Sequence, residues 1–186
     1  LGRPSEVNWN ITDRCNLLCD HCYMAADGHV REEQLSDDET IALVRQMGEA
    51  GVPLVFLTGG EPLLRANVWD ILAEAREQGM QVTVSTNATM IDADVARTLR
   101  SHGVDYIATS LYGPSEFHDE MVGVPGTRDR VVEAVRVLRA EGVGEVRWWT
   151  LDELEVAGAD ASFAPSRLPT LLLELLRDGP GAEPLD

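Results

Sequence analysis

The sequence predicts an α/β fold with a parallel sheet that is either open or curled toward a barrel. Short apolar runs alternate with amphipathic segments four times along the chain, and each amphipathic segment ends at a glycine. Regular alternation of strands and helices favours right-handed βαβ units, in which the strands pair in parallel. Folds of this class place their functional groups at the carboxyl ends of the strands.

The first predicted unit contains the strand VNWNIT (7–12), a long loop and a helix over 36–51. Ser36 and Glu39 stand at the spacing of a capping box, and Gly51 follows the last helical turn. The apolar face of this helix consists of Ile41, Val44 and Met47. Both ends of the helix are therefore marked in the sequence.

The other three predicted units follow the same order of strand and helix. VPLVFLT (52–58) is a continuous apolar run, typical of a strand that is buried on both faces of a parallel sheet. A helix over 67–79 follows it. The last two units pair strand 80–86 with helix 92–103 and strand 104–111 with helix 127–142.

The chain is strongly acidic, with 32 Asp and Glu residues against 15 basic residues, all of them arginine, and a formal net charge of −17. A charge of this sign repels nucleic acid and anionic membranes, so we expect neither as a partner. No apolar stretch approaches the roughly 20 residues that a membrane-spanning helix needs, and we predict a cytoplasmic protein. We interpret Glu6, Asp13 and Asp20 as solvated charges.

The three cysteines of the chain, Cys15, Cys19 and Cys22, all lie in the loop after the first strand. An odd number of clustered thiols fits a reducing compartment. A closed zinc site normally has four ligands, and His21 directly precedes Cys22, a poor spacing for completing one. A [4Fe–4S] cluster held by three cysteines leaves one iron open to a small molecule. A zinc site and cysteines that only pack are the alternatives.

Polar residues and glycines follow each of the other three predicted strands. The segments are TGGEP (58–62), STNAT (85–89) and SLYGP (110–114). Because the carboxyl ends of parallel strands share one edge of the sheet, we expect these loops and the cysteine loop to converge on one rim.

CxxxCxxC in the loop after the first strand, followed by Gly-Gly-Glu-Pro after the second, resembles the radical S-adenosylmethionine (radical SAM) superfamily over residues 3–143. The resemblance implies a truncated TIM-type barrel of about four βα units with a strand and helix tail. It also implies a [4Fe–4S] cluster on the three cysteines, with S-adenosylmethionine bound at the open iron. A donor such as ferredoxin or flavodoxin would supply the electron that cleaves S-adenosylmethionine to a 5′-deoxyadenosyl radical.

The same resemblance implies a set of cofactor-binding residues and assigns no catalytic one. Gly59, Gly60 and Glu61 would meet the methionine ammonium, and His21 would lie near the adenine. Asn87 and Ser110 would contact the ribose or the methionine carboxylate.

SLYGPSEFHDEMVG (110–123) resembles a loop of family members that modify peptides or build cofactors such as haem. The resemblance implies a small molecule or a peptide as the substrate. We interpret this stretch as a loop that His118 and Asp119 tie together.

We divide the chain into an incomplete radical SAM core (1–143) and a C-terminal strand and helix tail (144–186). Residues 145–186 resemble the C-terminal end of Nudix hydrolases, but the REUxEExGU box of those enzymes is absent, so we assign no Nudix activity. A fifth strand and a packed helix are the alternative interpretation of the tail. For the whole chain, the alternative to a radical SAM enzyme is a truncated, catalytically inactive protein that still binds a cluster.

Overall fold

The computed structural model describes residues 4–24 and 34–143. Four parallel strands form one sheet in the order β1-β2-β3-β4. They are β1 (Val7–Thr12), β2 (Leu54–Gly59), β3 (Gln81–Ser85) and β4 (Tyr106–Ala108). The helices are α1 (Asp37–Glu49), α2 (Val68–Glu77), α3 (Ala93–Ser101), α4 (Ser115–Val122) and α5 (Thr127–Ala140), and a short 3₁₀ turn, Pro62–Leu64, follows β2. The predicted α/β class with parallel strands is confirmed.

Helix α1 begins at the predicted capping box. The hydroxyl of Ser36 accepts the Glu39 N–H at 3.3 Å, and the Glu39 carboxylate accepts the Ser36 N–H at 2.8 Å. These two bonds pair backbone donors that the first helical turn would otherwise leave without a partner. At the other end the chain turns at Gly51, whose φ is +71°. The local sequence alone therefore determines both ends of this helix.

The hydrophobic core lies between the sheet and its helices. Strand β3 has three consecutive buried residues, Val82, Thr83 and Val84, as expected of a parallel strand that is covered on both faces. The largest fully buried apolar side chains are Leu57, Ile71, Leu72, Met80 and Leu99. Burial of this apolar surface holds the carboxyl ends of the strands in one layer.

Strand β4 is shorter than predicted and covers three residues, Tyr106–Ala108. At its start the Asp105 carboxylate accepts the backbone N–H of Val82 at 2.8 Å and contacts Arg76 at 3.2 Å. The side chain of Asp105 thus takes a backbone donor that a longer β4 would have paired. This bond accounts for the late start of the strand that was predicted over 104–111, whereas residues 109–111 lie outside β4 at its carboxyl end.

The interpretation of 110–123 as a loop is wrong for residues 115–122, which form α4. The helix ends at Gly123, whose φ of +71° makes it a left-handed C-cap. His118 and Val122 lie one turn apart and are both buried. Burial of this face stabilises a helix that is too short to be stable by itself.

Asp119 joins α4 to the start of α5, and the partners of its carboxylate lie outside the 110–123 stretch that we expected it to tie together. Its carboxylate accepts the backbone N–H groups of Gly126 and Arg128, the second at 2.9 Å. These donors lie at the start of α5, where helical N–H groups have no partner within the helix. The hydrogen bond from Arg128 is the main reason that the pKa of Asp119 lies below its usual value.

We predict that Asp119→Ala lowers the midpoint of urea unfolding at neutral pH. A carboxyl whose pKa is lowered by folding stabilises the native state above its unfolded pKa, about 3.9, and this stabilisation is lost as the pH falls through the lowered value. The difference between wild type and variant should therefore shrink in acid. Urea titrations at neutral and acidic pH measure it, and the exposed neighbour Glu120 provides the control Glu120→Ala. An equal difference at every pH would contradict the prediction.

The interpretation of Asp13 as a solvated charge is wrong. Its exposed fraction is 8%, and the side-chain amide of Gln34 donates to its carboxylate. Asp13 directly follows the buried end of β1, so the chain that covers the strand end covers it as well. Glu6 and Asp20 are exposed, as predicted. None of the helices in residues 4–24 and 34–143 is long and apolar enough to cross a membrane.

Candidate functional site

The cysteine loop lies against the end of α4. The N–H of Leu18 donates to the carbonyl of Val122 at 3.1 Å, and the N–H of Asp20 donates to Met121 at 3.1 Å. Gly123 follows, and a side chain there would place its Cβ 3.0 Å from the Leu18 carbonyl oxygen. The helix that we had not predicted therefore positions the loop that carries the thiols.

All three cysteines are free thiols of intermediate exposure. Burial raises the pKa values of Cys15 and Cys19, and the neighbouring thiols raise that of Cys19 further. The backbone N–H of Leu17 donates to Sγ of Cys15 at 3.4 Å, which opposes the effect of burial on that thiol. A bound cation would stabilise these thiolates, because ligation and deprotonation of a thiol are coupled.

The arrangement does not form a site for a single metal ion. In the two described ranges, no three His, Cys, Asp or Glu side chains are grouped so that they could hold one ion. A [4Fe–4S] cluster makes a different demand, because each cysteine ligates its own iron and the sulfur atoms need not converge on one point. The thiol chemistry and the loop position therefore fit a cluster better than zinc.

Gly59 and Gly60 bring the end of β2 into close contact with the start of the cysteine loop. The N–H of Gly60 donates to the Thr12 carbonyl at 2.7 Å. An added Cβ would lie 2.2 Å from the Thr12 oxygen at Gly59 and 2.3 Å from the Arg14 oxygen at Gly60, and the φ of Gly59 is +137°. Only glycine satisfies both the space and the backbone angle at Gly59.

Glu61 is fully buried and joins β2 to the loop after β3. Its carboxylate accepts the Thr86 hydroxyl at 2.7 Å, the Asn87 N–H at 2.8 Å and the Leu63 N–H at 3.1 Å. Burial nevertheless raises its pKa, against the effect of these donors. A carboxylate has about four acceptor positions, and three of those of Glu61 have donors from the protein. The ammonium contact inferred for Glu61 stays a prediction.

The side chain of Asn87 connects the β3 loop to the cysteine loop. Its Nδ2 donates to Oδ1 of Asn16 at 2.8 Å and lies 3.8 Å from Sγ of Cys15. Its Oδ1 accepts the hydroxyl of Thr89 at 2.7 Å, and Asn16 donates to the same hydroxyl at 2.8 Å. Asn16 and Thr89 were missed in the sequence, since a polar residue in a loop carries no signal of its partner.

A cavity of about 250 Å³ lies where the four strands end. It is lined by Cys19 and Cys22 of the cysteine loop, by Gly59 and Gly60, by His21 and Asn87, and by Ser110. The structure thus brings together, around one opening, seven of the nine residues that the sequence analysis proposed. Cys15 and Glu61 do not line this cavity in the described part of the chain, although both contact residues that do.

His21, Tyr112 and His118 form an aromatic wall of the cavity. Nε2 of His21 lies 2.8 Å from the Tyr112 hydroxyl, and the Tyr112 and His118 rings stack at 5.5 Å. The Tyr112 N–H donates to Nδ1 of His118, which leaves the proton on Nε2. This buried Nε2 has no hydrogen-bond partner within the described residues, and burial lowers the pKa of the ring. The sequence pattern indicated His118, but not its stacking on Tyr112.

Comparison with known proteins decides the family. The model of the radical SAM superfamily matches residues 9–152, which include the cysteine loop, the Gly-Gly-Glu segment, most of β1 and all of β2, β3 and β4. The chain belongs to the radical SAM superfamily. Members of this superfamily bind a [4Fe–4S] cluster and S-adenosylmethionine.

Relatives of this radical SAM chain have named functions. It is 36% identical over 157 residues to Fe-coproporphyrin III synthase of Methanosarcina barkeri, covering 84% of this chain and 39% of the relative. It is 27% identical over 165 residues to PqqA peptide cyclase of Gluconobacter oxydans, covering 88% of this chain and 46% of the relative. The chain thus spans less than half of the length of either relative.

A solved structure of anSMEcpe with bound AdoMet has the same fold as this radical SAM chain. The TM-score is 0.61 at 20% identity, and the match covers 74% of this chain and 41% of the other. The resemblance to Nudix hydrolases over 145–186, the proposed boundary after residue 143 and the tail all fall outside the described residues. The family comparison gives the Nudix resemblance no support.

Proposed function

We propose that this radical SAM chain binds a [4Fe–4S] cluster through Cys15, Cys19 and Cys22 and cleaves S-adenosylmethionine to a 5′-deoxyadenosyl radical. The observation that carries the proposal is the cysteine loop, which holds every thiol of the chain and opens onto the cavity at the carboxyl ends of the strands. When bound, the cluster supplies the electron for this cleavage. Three protein ligands leave one iron for the cofactor.

The residues around the cavity suit the parts of S-adenosylmethionine. Gly59 and Gly60 bring main chain to the cavity, and main-chain carbonyls accept hydrogen bonds from an ammonium. His21 and Tyr112 offer ring surface against which an adenine can pack. Ser110 provides a hydroxyl group for the ribose or the carboxylate.

The substrate in this proposal is a small molecule or a peptide. One relative is named Fe-coproporphyrin III synthase and another PqqA peptide cyclase, which represent these two classes. We further propose that a ferredoxin or flavodoxin supplies the electron, because the potential of such a donor matches a low-potential cluster.

The proposal is tested by electron paramagnetic resonance of the full chain, reconstituted with iron and sulfide under anaerobic conditions and reduced with dithionite. We expect a [4Fe–4S]⁺ signal that changes when S-adenosylmethionine is added, together with release of 5′-deoxyadenosine. Adenosine is the matched control, since it lacks the amino and carboxylate groups that would bind the open iron, and it should leave the signal unchanged.

Three other results are informative. A cluster signal that ignores S-adenosylmethionine would favour the alternative of a cluster-binding protein without the reaction. Binding of S-adenosylmethionine without release of 5′-deoxyadenosine would also favour this alternative, because the cofactor would then bind without being cleaved. A chain that takes up no iron after reconstitution would overturn the proposal.

A further inference from the structure

We propose that Asn87 is a positioning residue for the cluster: its side-chain N–H donates to Sγ of Cys15 and thereby raises the reduction potential of the [4Fe–4S] centre. The inference rests on the proposed function, because it needs Cys15 to be a cluster ligand. It gives Asn87 a role that differs from a contact to the ribose.

The hydrogen-bond network determines the orientation of the Asn87 amide. Oδ1 of Asn87 accepts both the backbone N–H of Thr89, at 3.0 Å, and its hydroxyl, at 2.7 Å. If the amide were rotated by half a turn, Nδ2 would meet the backbone donor of Thr89, and two donors cannot pair. Nδ2 therefore faces the cysteine loop.

The two hydrogens of Nδ2 have two acceptors. One acceptor is Oδ1 of Asn16, at 2.8 Å, and the other is Sγ of Cys15, at 3.8 Å. The second distance is long for an oxygen acceptor but within reach for the larger sulfur atom. The backbone N–H of Leu17 reaches the same sulfur at 3.4 Å. The sulfur of Cys15 thus receives the side-chain donor of Asn87 and main-chain donors of Leu17 and Asn16.

The main chain at Asn87 is anchored to Glu61. The N–H of Asn87 donates to the buried carboxylate of Glu61 at 2.8 Å. Ala88, the next residue, has a φ of +60°, the one positive value outside glycine in the described residues. This strained turn lets the side chains of Asn87 and Thr89 point to the same neighbour, Asn16.

Hydrogen bonds to the sulfur atoms of an iron–sulfur cluster are among the features that set its potential. A donor stabilises the reduced form more than the oxidised form, because reduction adds negative charge that is shared with the sulfur ligands. Loss of the Asn87 donor should therefore make the cluster harder to reduce. A carboxylate at the same position should have a larger effect, since it adds a negative charge.

The experiment is a dithionite redox titration of the reconstituted full chain, followed by the [4Fe–4S]⁺ signal. At the midpoint potential of wild type, we expect Asn87→Ala to lower the ratio of reduced to oxidised cluster by about tenfold. For a one-electron couple, this change corresponds to a midpoint potential about 59 mV lower. Asn87→Asp keeps the shape and the acceptor for Thr89, and we expect it to lower the ratio further. The control Asn16→Ala removes a partner of Asn87 but no donor to sulfur, and should leave the midpoint unchanged.

The outcomes separate this inference from the proposed function. If wild type binds a cluster and the midpoints of both Asn87 variants equal that of wild type, the inference is wrong and the proposed function stands. If Asn16→Ala shifts the midpoint as much as Asn87→Ala, or if both Asn87 variants lose the cluster, Asn87 only holds the loops together and the inference is again wrong. If wild type takes up no iron, the proposed function fails and the inference fails with it.

Discussion

Cys19→Ala is expected to abolish the cluster. Cys19 is the middle ligand of the three proposed, and the sequence contains no further cysteine that could replace it. Two thiolates hold a [4Fe–4S] cluster poorly, because two of its iron atoms would then lack a protein ligand. We expect the variant to lose the visible absorption of the cluster, its paramagnetic signal and nearly all of its bound iron.

The measurement is iron and sulfide content per chain after anaerobic reconstitution, together with the absorption spectrum. Leu18→Ala is the matched control, because Leu18 is 60% exposed and its fold contact, the N–H bond to Val122, is made by the main chain. The control should bind as much iron as wild type. A Cys19→Ala protein with an undiminished cluster spectrum would show that the ligand assignment is wrong.

Glu61→Ala is expected to lower the free energy of unfolding by about 3 kcal/mol, because it leaves buried donors without an acceptor. The donors are the hydroxyl of Thr86 and the N–H groups of Asn87 and Leu63. The change would also release the loop after β3 from the end of β2. We further expect the cluster to be retained and the affinity for S-adenosylmethionine to fall by about 1.5–3 kcal/mol, the range for a hydrogen bond to a charged group.

Urea unfolding of the iron-free chain measures the first effect, and titration of the reduced, reconstituted chain with S-adenosylmethionine measures the second. Glu49→Ala is the control, since Glu49 is an exposed glutamate at the end of α1. It should unfold within about 0.5 kcal/mol of wild type. If Glu61→Ala is as stable as Glu49→Ala, the hydrogen bonds of the Glu61 carboxylate do not support the fold.

The order of the βα units could be predicted because its signals are local. Ser36 and Glu39 mark the start of α1, and the apolar run after Gly51 marks β2, without reference to any distant residue. The cysteine spacing and the Gly-Gly-Glu segment likewise lie within short stretches of chain. The rule that parallel strands end at one edge then predicted that these stretches meet, and the cavity lies there.

Helix α4 could not be predicted in the same way. Eight residues supply too few internal hydrogen bonds to form a stable helix, and Gly123 beside them suggests a turn. What stabilises α4 is contact with residues far along the chain, including the backbone bonds from Leu18 and Asp20 to its last turn. Asp13 was misinterpreted for a related reason, because its surroundings include Gln34, from a separate part of the chain.

The fold class, the resemblance to the family and the position of the thiols follow from local sequence, because periodicity, capping residues and motif spacing are properties of neighbouring residues. The directions in which the side chains around the cavity point follow from contacts between distant parts of the chain. Asn16 and Thr89 are 73 positions apart, and they meet because β1, β2 and β3 pair in register and end together. The partners of Glu61 and Asn87 depend on that pairing and on the backbone angle of Ala88, which no spacing in the sequence encodes.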